Sequence, residues 1–120
     1  MMDEILTVTA EDLPGPVIVL TAAGEIDHDS RDLLGDAAEE ALQRRGLRLV
    51  IDLSAVTFCD SGGLSLFIEL HRRVSDLGGS LYLASAQAPV LTVLQVANLD
   101  RLFAMHPTVD DAVRTARSTG

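Results

Sequence analysis

Cys59-Asp60-Ser61-Gly62-Gly63 places a hydroxyl beside a carboxylate, just ahead of a helical pattern that begins at Leu64. A serine at a helix start has two chemistries open to it. It can act as a nucleophile if a base and a third orienting group are supplied. It can instead accept a phosphoryl group, because free backbone amides and the helix dipole favour an anion there. The three histidines, His28, His71 and His106, and the single cysteine, Cys59, are the other reactive side chains. They are scattered singly, with no pair at metal-ligand spacing, and no metal site is expected. His71 reads as a side chain near the apolar face of a helix and Cys59 as a small buried hydrophobe.

The nucleophile reading fails on context. The string Asp60-Ser61-Gly62-Gly63 occurs around the nucleophile of trypsin-like proteases, with His28 and several aspartates upstream in the required order. That fold is a double β-barrel, larger than this chain and without alternating helices. A nucleophile elbow requires Gly-x-Ser-x-Gly, and Cys59 stands at its first position. The chain contains no lysine, so lysine-based catalysis is excluded. No P-loop and no Gly-x-Gly-x-x-Gly follows a strand, so nucleotide binding is not indicated. No catalytic residue and no cofactor is expected. Asp60 and Ser61 could equally be plain helix caps, and residue chemistry alone leaves the phosphate site open.

The chain has 120 residues, enough for one domain with one core. Hydrophobic residues make up 48%, so it folds rather than remaining disordered. Aromatic residues make up 3% and Trp is absent, so the core must be built of Leu, Val, Ile and Ala. The net charge of −9 argues against nucleic-acid binding and against anionic membrane surfaces. A single cysteine allows no internal disulfide, which suits a reducing cytosol. The acidic start, Met1-Met2-Asp3-Glu4, is not that of a signal peptide, and no apolar run is long enough to span a membrane. A cytoplasmic location is expected.

The elements that must position Ser61 follow from periodicity. Ile5 to Thr9 and Val17 to Leu20 read as strands around the turn Leu13-Pro14-Gly15-Pro16, forming an antiparallel hairpin. Ala23 to Asp27 ends the second strand. Asp27 or Asp29 is placed to cap a helix with the apolar face Leu34, Ala37, Ala38, Ala41 and Leu42, closed by Gly46. Arg48 to Leu53 is a buried strand, and Ser54 to Thr57 is expected to turn the chain. A helix then runs from about Ser61 to Leu77, with Glu69 and Arg73 spaced for an i,i+4 ion pair and Gly78-Gly79 at its end. Leu81 to Ala84 is a strand, Pro89 to about Asn98 a helix, and Leu102 to Met105 a short strand. Thr108 and Asp111 form a capping-box pattern for a helix over Val109 to Arg117, with a frayed tail from Ser118 to Gly120. This alternation predicts an α/β fold: a mixed, mostly parallel sheet with an N-terminal antiparallel hairpin and about four helices.

Two segments together resemble one family. Val50 to Leu64 is similar to the central motif of STAS domains of the bacterial anti-sigma factor antagonist type. Gly24-Glu25-Ile26-Asp27 is similar to the family's second signature, a loop before the first helix. The resemblance covers nearly the whole chain and implies a single STAS domain over residues 1–120. It implies an anti-sigma factor antagonist that is not an enzyme. Such a protein binds an anti-sigma factor that is also a serine/threonine kinase and so frees a sigma factor. Phosphorylation at the serine after the motif's Asp, here Ser61, ends binding, and a serine/threonine phosphatase restores it. Asp27, Asp60, Gly62 and Gly63 become the implied partner-binding residues. The family commonly has Ser or Thr where this chain has Gly62, which leaves Ser61 as the only hydroxyl acceptor in the motif's Asp-Ser-x-Gly segment and is expected to loosen the first helical turn. The alternative implied by the same resemblance is a STAS scaffold in another signalling or lipid-transport complex, without a phospho-switch.

Overall fold

The computed structural model describes residues 6–44 and 48–118. Ile5, Gly46, Thr119 and Gly120 lie outside them. Five strands, β1 (Leu6–Leu13), β2 (Val17–Ile26), β3 (Arg48–Cys59), β4 (Ser80–Ala84) and β5 (Ala104–His106), form one sheet in the order β1-β2-β3-β4-β5. β1 pairs antiparallel with β2, and the remaining neighbours are parallel. The helices are α1 (Arg31–Arg44), α2 (Ser61–Asp76), α3 (Ala88–Val96) and α4 (Val109–Ser118). The α/β class, the hairpin, the mixed sheet and the four helices are as the periodicity predicts.

Alternation along the central strands sends side chains to two cores. Ile18, Leu20, Leu49, Ile51 and Leu83 face Leu34, Ala38, Phe67, Leu70, Val74, Val90 and Leu94 of α1, α2 and α3. Val17, Val19, Val50, Tyr82 and Ala84 face Ala112, Val113 and Ala116 of α4. β2 and β3 are apolar on both sides because both sides are covered. Each fully buried Leu or Ile contributes about 1.5–3 kcal/mol over its exposed state. Phe67 packs edge-on to Phe103 at 6.2 Å, and His71 also meets the Phe103 ring edge-on at 5.8 Å.

The structure corrects several expected boundaries. β1 runs to Leu13 because the hairpin ladder pairs every residue from Leu6↔Gly24 to Leu13↔Val17, and β2 runs to Ile26 because it stays paired with β3 as far as Ile26↔Cys59. Ser54 to Thr57 is not a turn. β3 continues to Cys59, carried by two register shifts against β2, between Thr21 and Ala23 and between Gly24 and Glu25. Each shift inserts one extra residue into β3, a bulge. Its buried positions therefore fall at Leu49, Ile51, Leu53, Val56 and Cys59, a spacing that no longer reads as a strand. β5 lies at Ala104–His106, since Leu99–Arg101 forms a 3-10 turn that also takes in the N–H of Leu102.

Glu69 and Arg73 do not pair with each other. Arg31 binds Glu69 at 2.7 Å, and Arg73 binds Glu39 through two bonds of 3.0 and 2.8 Å. Glu69 and Arg73 each find a partner on α1, and the two-pronged guanidinium contact to Glu39 outcompetes a single exposed pair. Half of the capping box forms. The Asp111 N–H donates to Thr108 Oγ1 at 3.1 Å, while the Asp111 carboxylate turns to Arg114. Gly78, at φ +79°, ends α2, letting the Gly79 N–H reach the Val74 carbonyl at 2.9 Å.

Candidate functional site

Asp60 is the N-cap of α2, and its extended backbone turns β3 into the helix. Its Oδ1 accepts from the N–H groups of Gly62 at 2.8 Å and Gly63 at 3.2 Å, satisfying two amides that the helix leaves free. Its Oδ2 accepts from the His28 N–H at 3.3 Å. One carboxylate thus caps the helix and ties down the loop after β2. The backbone adds a second tie, from the Asp60 N–H to the Ile26 carbonyl at 3.2 Å.

That loop has its own organiser. The Asp27 Oδ1 accepts from the N–H groups of Asp29 at 3.0 Å and Ser30 at 2.9 Å. The Asp27 carbonyl takes the N–H of Arg31, the first residue of α1. Of the two expected capping acids, Asp27 is the one that acts. Ser30, a buried polar residue, donates its hydroxyl to the Glu25 carbonyl at 2.7 Å and accepts from the Asp27 N–H at 3.0 Å. The Ser30 N–H above all, with the Asp29 N–H, holds the Asp27 carboxyl below the ordinary value of 3.8, against an opposing effect of burial. The stability this contributes is full above that value and is lost as pH falls through the lowered one.

Gly62 and Gly63 form the seam between the two loops. A Cβ at Gly62 would stand 2.9 Å from the His28 Cα. A Cβ at Gly63 would stand 2.6 Å from the Cys59 Sγ and 2.8 Å from the Ile26 carbonyl oxygen. A hydroxyl residue at 62 would need the His28 loop to move away, which gives this chain's glycine a physical reason. Arg31 closes the seam from α1. Its Nη1 donates to the Gly62 carbonyl at 3.3 Å, while Nη2 holds Glu69.

Ser61 sits on this frame, exposed, as the first residue of α2. The site brings together all five residues singled out in the sequence: Asp27, Asp60, Ser61, Gly62 and Gly63. Sequence reasoning missed Ser30 and Arg31. Asp27 and Ser30 stand three apart at a helix start, a spacing that hinted at capping. Arg31 and Gly62 are 31 residues apart, and nothing local links them.

Cys59 lies beneath the seam, buried against Gly63. Burial first, and the neighbouring Asp60 charge second, push its thiol up from 9.0 to about 12. At pH 8 the folded protein is expected to react with a thiol reagent about 1,000-fold more slowly than the denatured chain, from thiolate fraction alone. Because the folded value is the raised one, the thiol's contribution to stability is complete below about 9.0 and is lost as pH climbs towards about 12. Labelling at pH 8 with and without denaturant checks the first point, and urea melts across that pH window check the second.

The fold and site define a small α/β domain with an exposed serine at a helix start, framed by two interlocked loops. The chain belongs to the STAS domain family, whose model matches residues 7–112. The anti-sigma-F factor antagonist RsfB of Mycobacterium tuberculosis is 32% identical over 114 residues, covering 93% of this chain and 90% of RsfB. The anti-sigma F factor antagonist of Paenibacillus polymyxa is 29% identical over 98 residues, 81% of each chain. The crystal structure of an anti-sigma factor antagonist from Mycobacterium paratuberculosis superposes with a TM-score of 0.84 at 30% identity, covering 93% of this chain and 94% of that one. Among the described residues, no helix is long and apolar enough to cross a membrane.

Proposed function

We propose that this chain is an anti-sigma factor antagonist, a cytoplasmic single domain over residues 1–120 that acts by binding rather than by catalysis. Its partner is an anti-sigma factor serine/threonine kinase, engaged through Ser61 with Asp27, Asp60, Gly62 and Gly63. Phosphorylation of Ser61 ends the complex, and a serine/threonine phosphatase restores it. The observation that carries this reading is the exposed Ser61 hydroxyl on a rigid frame whose two carboxylates are already occupied. Asp60 spends both oxygens on backbone amides, and Asp27 spends Oδ1 the same way. His28 offers Asp60 its backbone N–H. Among the described residues no side-chain base is hydrogen-bonded to the Ser61 hydroxyl, which supports a residue that receives chemistry from a partner. The names of the curated relatives support an anti-sigma factor as the partner.

In the proposed step the kinase transfers the γ-phosphoryl group of ATP to Ser61 Oγ. The bond to the departing ADP breaks, an O–P bond forms, and the hydroxyl proton passes to the kinase's base. The product carries about −1.5 to −2 extra charge beside Asp60. The helix start tolerates that anion, so the fold persists and the loss falls on the interface.

The test is incubation with ATP and each anti-sigma serine kinase of the source genome, followed by mass-spectrometric mapping. One phosphate on Ser61, absent in Ser61→Ala, is the expected result. A phosphate on Thr57 or Ser65 instead, or none with any kinase, overturns the reading.

A further inference from the structure

We propose that Arg31 is a positioning residue for the phosphorylation of Ser61, holding the first turn of α2 in one orientation from α1. This rests on the functional reading above. Ser61 is followed by Gly62 and Gly63, and glycine has the widest backbone freedom of any residue. The seam has no room for a stiffer residue at either position. A Cβ would stand 2.9 Å from the His28 Cα at Gly62 and 2.6 Å from the Cys59 Sγ at Gly63. The serine that receives the phosphate is therefore followed by the least constrained backbone of the helix, and its fixity must come from side chains elsewhere.

Two side chains supply it. Asp60 Oδ1 accepts from the Gly62 N–H at 2.8 Å, and Arg31 Nη1 donates to the Gly62 carbonyl at 3.3 Å. Gly62 is thus held at both its N–H and its C=O. Arg31 is itself anchored at two points. Its backbone N–H is bound to the Asp27 carbonyl at 2.9 Å, and its Nη2 is bound to Glu69 Oε2 at 2.7 Å. The 3.3 Å contact is long for a hydrogen bond and would not alone fix a flexible side chain. The short, charge-assisted bond to Glu69 does so, and the planar guanidinium then carries its other nitrogen to the Gly62 carbonyl.

A second ion pair joins the same two helices and separates this role from plain helix docking. Arg73 of α2 commits Nε and Nη2 to Glu39 of α1, further along both helices. The Arg73 side chain is 47% exposed and that of Arg31 only 20%. Arg31 is covered by its own protein, so its influence on the kinase passes through Gly62. Phosphoryl transfer needs the attacking oxygen in line with the leaving group. A misplacement of about 1 Å can slow such a step by about 100-fold, while affinity spread over a whole interface responds far less.

The experiment is single-turnover phosphorylation by the kinase that modifies wild-type Ser61, with the kinase in excess and ATP saturating. It reads the maximal rate and the kinase concentration at half-maximum. Arg31→Ala is expected to lower the maximal rate about 10-fold and to shift the half-saturating concentration by less than about threefold. Glu69→Ala is expected to reproduce most of that loss, because the freed guanidinium can turn to Asp32, whose Oδ1 lies 4.0 Å from Arg31 Nε. Arg31→Lys keeps the charge without the fork and is expected to behave as Arg31→Ala does. Glu39→Ala cuts the other pair and is expected to react at the wild-type rate. Melting temperatures should stay within about 3 °C of wild type, since solvent-exposed ion pairs contribute little. A wild-type maximal rate in Arg31→Ala overturns the assignment while leaving the functional reading intact. So does a wild-type rate in Arg31→Lys, an equal loss in Glu39→Ala, or a loss confined to the half-saturating concentration, which would make Arg31 a contact of the kinase. A wild-type protein phosphorylated by no anti-sigma kinase removes the functional reading, and this assignment with it.

Discussion

Gly63→Ala is expected to destabilise the protein by about 3 kcal/mol, the upper part of the range for overpacking a tight interior. The added methyl would lie 2.6 Å from the Cys59 Sγ, 2.8 Å from the Ile26 carbonyl oxygen and 2.9 Å from the Ile26 Cγ2. None of these is the free end of a flexible side chain. Cys59 and Ile26 are buried, at 4% and 0% exposure, and they form the floor on which both loops rest. Relief requires α2 to back away from β2, which would lengthen the bond from the Asp60 N–H to the Ile26 carbonyl. For a domain of this size the melting temperature should fall by about 10–15 °C. Urea denaturation should show a lower midpoint with an unchanged slope. Gly62→Ala is the informative contrast. Its methyl would meet the backbone of His28, an exposed loop residue that can yield. A cost of about 1 kcal/mol is expected there, partly offset by the better helix propensity of alanine. Equal losses at the two sites would mean that the seam is not the rigid element described above.

Ser61→Asp is expected to weaken the complex with the anti-sigma kinase by about 100-fold or more while leaving the melting temperature within a few degrees of wild type. The two effects separate because the charge has different surroundings in the free and bound states. In the free protein the new carboxylate is solvated, and the start of α2 favours a negative charge there. In the complex it would be buried opposite a surface built for a neutral hydroxyl, and an unpaired buried charge costs several kcal/mol. Titration calorimetry alongside thermal melts reads both quantities. A fall of 10 °C or more in the melting temperature would mean that the switch works by unfolding the helix start. Binding at wild-type strength would mean that Ser61 lies outside the contact.

Much of the fold was legible because its signals are local. Apolar runs with β-branched residues at Val17 to Leu20 and Val50 to Leu53 mark covered strands, and the alternation of strand and helix patterns marks a mostly parallel sheet. The capping role of Asp60 follows from its place before a helical pattern. The misread segment, Ser54 to Thr57, was illegible for a definite reason. A bulge is defined by the partner strand, and two of them changed the spacing of buried residues from two to three. The Glu69–Arg73 pair failed for a related reason. Sequence spacing shows which charges can meet on one helix, but α1 supplied Arg31 and Glu39 from across the interface.

By itself, then, the sequence determined the class of fold, the serine at a helix start, and the two motifs whose joint presence marks the family. Each depends on a residue's near neighbours or on composition. Only the tertiary structure decided that Asp60 serves two loops at once, that Arg31 reaches the Gly62 carbonyl, and that Gly63 has no room for a methyl group. It alone turned Phe58 outward. These depend on parallel β2 and β3 ending side by side, which brings residues about thirty positions apart into contact. No local pattern encodes a distance of that kind, because it is set by how the sheet and its helices pack.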